Sequence, residues 1–449
     1  MKKSTLIKNV SIVNEGQIKI ADVFLQNGII QCIGSPCGEA IKDAQIIDGT
    51  GKHLFPGIID GQVHFREPGL THKGDLYSES RAAVAGGTTS FIDMPNTVPN
   101  VLTTEILDEK FKIASEKSWA NFSFFLGVNK DNLEKVLEMD TTQFIGVSDD
   151  GLYFTKKGNL LADSPATMEK LFSTCKSIIA IHSELENIIE ENEKIFMAKY
   201  GDDVPIESHP LIRSGEGCYQ STKRAIAIAE KYKARLHILH LTTEAETHLF
   251  RNDIPLNEKN ITTEVSVQNL WFSDKDYKRL GTQIKWNPAI KSEKDRDGLL
   301  KALLDDRIDI ITTDHAPHTI EEKQKPYFQS MSGAPMVQHS LYIMLELYRK
   351  GLISLEKIAE KMSHNVAILY GIEKRGFVRE GYSADLILVD MNATWTVGKE
   401  NILYKCGWSP LEGEIFHSKV VHTFVNGNVV YENGNFSRFV PGHRLEFKQ

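Results

Sequence analysis

The sequence predicts an α/β fold: a closed (β/α)8 TIM-type barrel with a small composite β-sandwich domain formed by the N- and C-terminal segments. Three observations predict it. Apolar, strand-like runs alternate with amphipathic helical stretches through the middle of the chain, there are eight such runs, and both ends of the chain are β-rich instead. The implied domains are residues 1–53 and 376–449, which form the β domain, and residues 54–375, which form the barrel.

At the N-terminus, LIKNVSIV, IADVFLQNG, IIQCIG and AQIIDG are short β-type runs separated by Gly, Asn and Asp turns. The C-terminal end repeats the pattern with SADLILVD, VVHTFVNGNVVYENG and FSRFV, where Asn426 and Gly427 between two apolar runs signal a hairpin. Between these ends lie LFPGIID, TTSFIDMPN, FSFFLGV, QFIGVSDD, SIIAIHSE, RLHILHLT, TTEVSVQNL and IDIITTDH. Helix-period segments such as SESRAAVAGG, TEILDEKFKIASEK, ATMEKLFSTC, CYQSTKRAIAIAEKY and DRDGLLKALLDD separate them. An open doubly wound sheet is the alternative, but it calls for a Gly-rich phosphate loop after its first strand. Gly86 and Gly87 end a helix and read as a C-cap instead.

The 449 residues, 41% hydrophobic and 25% charged, are those of an ordinary soluble chain with a large core. A formal charge of −8 leaves no basic surplus for phosphates, so no nucleic-acid partner is expected. The N-terminal MKKSTLIKNVSIVNEG lacks an apolar h-region, and no stretch has bilayer-spanning length, so no membrane partner and a cytoplasmic location are expected. Cys32, Cys37, Cys175, Cys218 and Cys406 lack metal-ligand spacing and read as reduced thiols.

Barrel active sites assemble at the C-terminal ends of the strands. Here the first run ends in Asp60, Gln62, His64 and Arg66, and the second at Asn96. The fourth ends at Asp149 and Asp150, the fifth at His182, the sixth at His240, and the eighth at Asp314, followed by His315 and His318. Carboxylates and imidazoles in a closed mouth need partners, and a divalent cation supplies one. A lone histidine is ordinarily a satisfied core or rim residue, and His237, His339, His364 and His422 read that way. The joint placement of His64, Asp150, His182, His240 and Asp314 on different strands favours a metal site. Arg66, two positions after His64 in an extended segment, would face the same way as His64.

The pieces GIIDGQVHFREPG, AGGTTSFIDMPNTVP, GVSDDG, IAIHSE, LHILHLTT, IKWNPAIK and IITTDHAPH resemble the class I dihydroorotases of the amidohydrolase superfamily over nearly the whole chain. The resemblance implies zinc-dependent, reversible interconversion of dihydroorotate and N-carbamoyl-aspartate in pyrimidine synthesis, with one or two Zn2+ or other divalent ions. By the same resemblance, His64 ligates a first metal, Asp150 bridges two, and His182 and His240 hold the second. Asp314 is both ligand and general acid/base, Arg66, Asn96 and His318 grip the substrate carboxylate, and Asn287 contacts the ring. A homodimer is implied, and association with another pyrimidine-pathway enzyme is left open. Hydantoinases and allantoinases share the layout but lack an arginine at position 66, because their substrates lack this carboxylate. Lys156 and Lys157 read as a solvated loop, not as a carboxylated bridging lysine.

The chain departs from that family pattern at Gln62, where a first histidine is usual. An amide oxygen is neutral and suits zinc poorly. Gln62 is then a weak metal ligand, or it leaves a single metal on Asp150, His182 and His240, or the chain is a non-catalytic subunit. Two lesser departures are SVQNLWF on the seventh run, where a histidine pair is common, and Lys291 in place of an arginine.

Overall fold

Eight parallel strands follow one another in chain order: Ile58–Val63, Thr88–Asp93, Asn121–Phe124 continued by Leu126–Gly127, Gly146–Ser148, Ile178–Ile181, Leu236–Ile238, Ile261–Ser266 and Ile310–Thr312. The computed structural model describes residues 4–34, 43–152, 161 and 164–448; Cys37, Lys156 and Lys157 lie outside them. The strands are buried on both faces, which is why they read as continuous apolar runs rather than alternating ones. The cylinder closes between first and last strands. Val63 bridges His315, the His64 N–H donates to the His315 carbonyl at 2.7 Å, and Asp60 accepts from the Thr313 hydroxyl at 2.6 Å. Asp60 is thus a closure residue, and its burial, outweighing those hydrogen bonds, pushes its carboxyl up to about 7.

The outer helices start and stop where their sequences direct. Leu76–Ala85 is opened by an Asp75–Ser78 capping box and closed at Gly86, and Thr103, Ser214 and Ser292 cap three further helices with their hydroxyls. The seventh run is shorter than its apolar pattern: the strand stops at Ser266 and Gln268–Trp271 is helical.

Among the described residues, the β-rich part is a nine-stranded sheet with a separate two-stranded pair, Trp395–Thr396 against Ile415–Phe416. The two ends of the chain meet where Leu386–Asp390 runs antiparallel to His53–Pro56. Leu386 and Leu388 pack with Ile7, Val10, Val23 and Leu54 on one face, while Ile387 and Val389 join the barrel's core on the other. Asn426 and Gly427, both at positive φ, form the expected hairpin. Cys32 is disulfide-bonded, which corrects the expectation of reduced thiols at that residue, whereas Cys175, Cys218 and Cys406 are free.

Asp385 ties the sheet to the barrel. It is 3% exposed and pairs with Arg375, while accepting from the Asn426 N–H at 2.7 Å and from Asn121 Nδ2, on the third barrel strand, at 3.2 Å. Asp385→Ala leaves Arg375 buried without its counter-charge and is expected to cost about 3–5 kcal/mol. The urea midpoint measures it; a shift below about 1 kcal/mol would show that the pair is not structural.

Candidate active site

Gln62 and His64 leave the first strand on the same side, toward the mouth of the barrel. Gln62 is fully buried; its Nε2 donates to Asp150 Oδ2 at 3.1 Å and its Oε1 has no hydrogen-bond partner. His64 Nδ1 lies 2.7 Å from Asn96 Oδ1. Its Nε2 lies 3.1 Å from Asp314 Oδ1 and 3.3 Å from Asp150 Oδ2. Burial disfavours a charged His64, but the two carboxylates outweigh it and raise its pKa to about 10. Without a cation, the imidazolium is their counter-charge.

The fifth and sixth strands bring a second group of donors. His182 Nδ1 and His240 Nε2 lie 3.1 Å apart, and 3.6 and 4.0 Å respectively from Asp150 Oδ1. Among the described residues, Asp150, His182 and His240 form the one group of three whose ligand atoms all lie within 4.8 Å of one another. One carboxylate oxygen and two imidazole nitrogens, all buried, suit a divalent transition metal. His182 Nε2 contacts Glu184 at 2.8 Å, and Glu184 is held in turn by Arg213. That is the outer partner a ligating imidazole needs to aim its other nitrogen at a cation. Burial raises the Glu184 pKa, but Arg213 and His182 outweigh it and hold the carboxylate well below its usual range. Asp149, beside Asp150, points away and accepts from the backbone N–H groups of His182 and Leu161.

Three residues here hold unusual backbone: Arg66, His240 and Asp314 have φ of 69°, 38° and 44°. Such conformations cost non-glycine residues about 1–3 kcal/mol each and persist where the surrounding packing enforces them, often at functional sites. For Arg66 this corrects the expectation of an extended segment. The chain turns at Arg66, and the side chain still lines the same pocket as His64. Gly151 is required as glycine: its φ is +71° and a Cβ would stand 2.1 Å from Asn96 Nδ2.

The pocket encloses about 210 Å³. His64, Asn96, Asp150 and Asp314 lie on its wall with Arg66, His318 and Asn287, so sequence-distant residues converge. Arg66 Nε donates to the Pro317 carbonyl at 3.1 Å, and Arg66 Nη2 is 3.1 Å from His318 Nε2. Burial, together with the charges of Arg66 and Lys73, holds His318 neutral, well below the ordinary histidine pKa. The pocket wall therefore carries two contact clusters of different character, Asp150 and Asp314 about His64, and Arg66 and Lys73 about His318.

Sequence reading missed Lys73, Glu184 and Glu322. Lys73 lines the pocket although 5% exposed, in a segment, THKGD, that reads as a surface loop and carries no signal. Glu184 was findable from its spacing two residues after His182. His237 pairs with Glu264 inside the barrel, His339 with the Tyr404 hydroxyl, His364 with the Gly376 carbonyl and His422 with Glu432; none lines the pocket. His315 likewise turns to buried Glu79. On the seventh strand, Glu264 binds His237 and Thr312, a structural role. Lys291 donates to the Ala289 carbonyl outside the pocket wall.

Residues 53–430 match the Amidohydrolase family. The chain belongs to that family. A dihydroorotase of Methanosphaera stadtmanae is 28% identical over 97% of this chain and 98% of its own. One of Lactococcus lactis subsp. lactis is 33% identical over 95% and 99%. Among solved structures, the L-hydantoinase (dihydropyrimidinase) of Arthrobacter aurescens superposes with a TM-score of 0.91 at 26% identity, covering 99% of this chain and 100% of that one. This amidohydrolase thus has dihydroorotase-named relatives in sequence and hydantoinase neighbours in structure.

Glu184→Gln weakens the hold on the His182 tautomer and is expected to lower divalent-metal affinity about 10–100-fold, read by chelator competition. Unchanged affinity would show that His182 is oriented without Glu184.

Proposed function

We propose that this amidohydrolase is a dihydroorotase, opening the ring of (S)-dihydroorotate to N-carbamoyl-L-aspartate and closing it again, in the cytoplasmic synthesis of pyrimidines, as a homodimer. The single observation that carries this reading is Arg66. A buried guanidinium lines the same pocket as Asp150 and Asp314, matching a small ring that carries both a carboxylate and a scissile amide. The dihydroorotase names of relatives aligned over nearly the full chain support it.

In this reading, Asp150, His182 and His240 hold one zinc ion, which when bound polarises the amide carbonyl and lowers the pKa of attacking water. The chain's own residues do the rest. Arg66, with Asn96 Nδ2 and His318, fixes the substrate carboxylate, and Asn287 borders the ring. Fixing the ring in one orientation presents its amide carbon to the acidic part of the pocket wall. As the new C–O bond forms and the C–N bond breaks, Asp314 takes the proton from water and delivers it to the departing ring nitrogen. In ring closure the same carboxylate receives the ureido proton. His64, whose Nε2 touches Asp314 Oδ1, sets the position of that carboxylate.

Gln62 donates its amide to Oδ2 of Asp150, one of the three proposed ligands, and its neutral amide oxygen suits zinc poorly. We therefore favour a single-metal enzyme. Gln62→His is expected to raise bound zinc from about one to about two equivalents per chain, measured by elemental analysis. No change in metal content would place the substitution outside the metal's reach.

The hydantoinase neighbours favour a second reading, hydrolysis of an uncharged cyclic amide. Dihydroorotate, hydantoin and allantoin offered to one zinc-loaded preparation separate the two. The dihydroorotase reading expects turnover of dihydroorotate above the others, and Arg66→Ala is expected to cut kcat/KM for it by about 100-fold or more. Preference for a neutral ring would overturn that reading. Absence of turnover on all three with zinc, cobalt or manganese would favour a silent subunit of another pyrimidine-pathway enzyme.

A further inference from the structure

Among the described residues, Lys73 is the one pocket-lining lysine or arginine that the mechanism leaves without a task. Its ammonium is buried, 3.0 Å from His318 Nδ1 and 2.9 Å from Glu322 Oε1. Glu322 is itself fixed, because its Oε2 accepts the Thr319 N–H at 3.0 Å in the capping box of the helix Ile320–Lys323. The other edge of the His318 ring has two neighbours of opposite character. Nε2 lies 3.0 Å from the Ser332 carbonyl oxygen, which only accepts, and 3.1 Å from Arg66 Nη2, which only donates.

These contacts favour one arrangement of the imidazole proton, because Lys73 at 3.0 Å is nearer Nδ1 than the Glu322 carboxylate at 3.7 Å. An ammonium can only donate, so Nδ1 facing Lys73 must be an acceptor. The ring proton is then on Nε2 and is donated to the Ser332 carbonyl. The opposite tautomer would set an N–H against the ammonium and a lone pair against the Ser332 carbonyl, losing two hydrogen bonds in a buried site and gaining only the one from Arg66 Nη2. A doubly protonated ring would face the ammonium and the guanidinium at once. With Nε2 protonated, Arg66 has no acceptor on His318, so its only bond among these groups is from Nε to the Pro317 carbonyl. The backbone that carries the ring is also anchored, since Trp408 Nε1 donates to the His318 carbonyl at 2.8 Å.

We infer that Lys73 is a positioning residue: it holds His318 in the Nε2–H tautomer, which leaves the Arg66 guanidinium without an acceptor on His318 and presents the Nε2–H, accepted in this structure by the Ser332 carbonyl, as a second donor that an anionic substrate group can take over. The inference rests on the reading of this pocket as one for a ring amide bearing a carboxylate. Glu322 cancels the ammonium charge, so Lys73 acts through His318 and leaves Arg66 as the net charge the anion meets.

The nitrogen-15 spectrum of the full-length protein with labelled histidine, assigned with His318→Asn, tests this without any substrate. The expected result is a protonated Nε2 and an acceptor Nδ1 at His318. An Nδ1–H or imidazolium ring in the native protein overturns the inference. In Lys73→Met, the His318 signals are expected to move toward the other tautomer, and KM for dihydroorotate to rise about tenfold or more with kcat within about threefold. Lys73→Gln, whose amide still donates to Nδ1, is expected to restore the tautomer and most of the KM. A rise in KM with the tautomer unmoved would mean that Lys73 binds the anion directly, and would overturn the inference as well. If the native protein does not turn over dihydroorotate, the proposed function fails while the nitrogen-15 result still decides the role of Lys73.

Discussion

Two buried carboxylates, those of Asp150 and Asp314, lie within reach of the same imidazole nitrogen, and the barrel mouth is organised around compensating them. Negative charge removed from water is costly unless it is paired and hydrogen-bonded. Within the chain, compensation comes from the imidazoles of His182, His240 and His64 around Asp150, which outweigh burial and hold its carboxylate well below its ordinary pKa. A divalent metal on Asp150, His182 and His240 supplies the same compensation with a more concentrated charge. The strained φ at His240 and Asp314 is tolerated because the closed sheet fixes the backbone on either side.

The part of the pocket wall formed by Arg66, His318 and Lys73 reverses the sign. Arg66 and Lys73 are buried cations, Glu322 answers one of them, and His318 lies between as a neutral spacer. A substrate that fits both parts has an anionic group and a polarisable amide a few bonds apart. A hydantoinase-like barrel can share the whole scaffold while differing in this part alone, so overall superposition says less about the substrate than the chemistry of residues 66, 73 and 318.

Both chain ends contribute to this arrangement from outside the barrel. Asp385 joins the sheet to the third strand, and Trp408 anchors the backbone of His318, so the β-rich domain helps shape one wall of the pocket. Its own sheet exists only because the first and last segments pair, as in the antiparallel contact of His53–Pro56 with Leu386–Asp390.

Much of this was legible in the sequence, for a physical reason. Strands buried on both faces must be apolar runs, helices packed on one face must show a 3.6-residue period, and residues ending such runs in a parallel barrel share one mouth, so His64, Asp150, His182, His240 and Asp314 announce themselves by position. The Asn426–Gly427 hairpin and the helix end at Gly86–Gly87 were legible because Asn426, Gly427 and Gly87 hold positive φ, which restricts residue type. What the tertiary structure alone decided depends on contacts between residues far apart in the chain. Lys73 sits in a segment indistinguishable from a solvated loop until Glu322 and His318 close over it. The turn at Arg66 is imposed by packing against the loop after the eighth strand, where Pro317 accepts from its guanidinium, and no local preference reveals it. Gln62 reads as a lost ligand in sequence, and only the fold shows its amide donating to Asp150, since hydrogen-bond partners are fixed by three-dimensional distance and not by order along the chain.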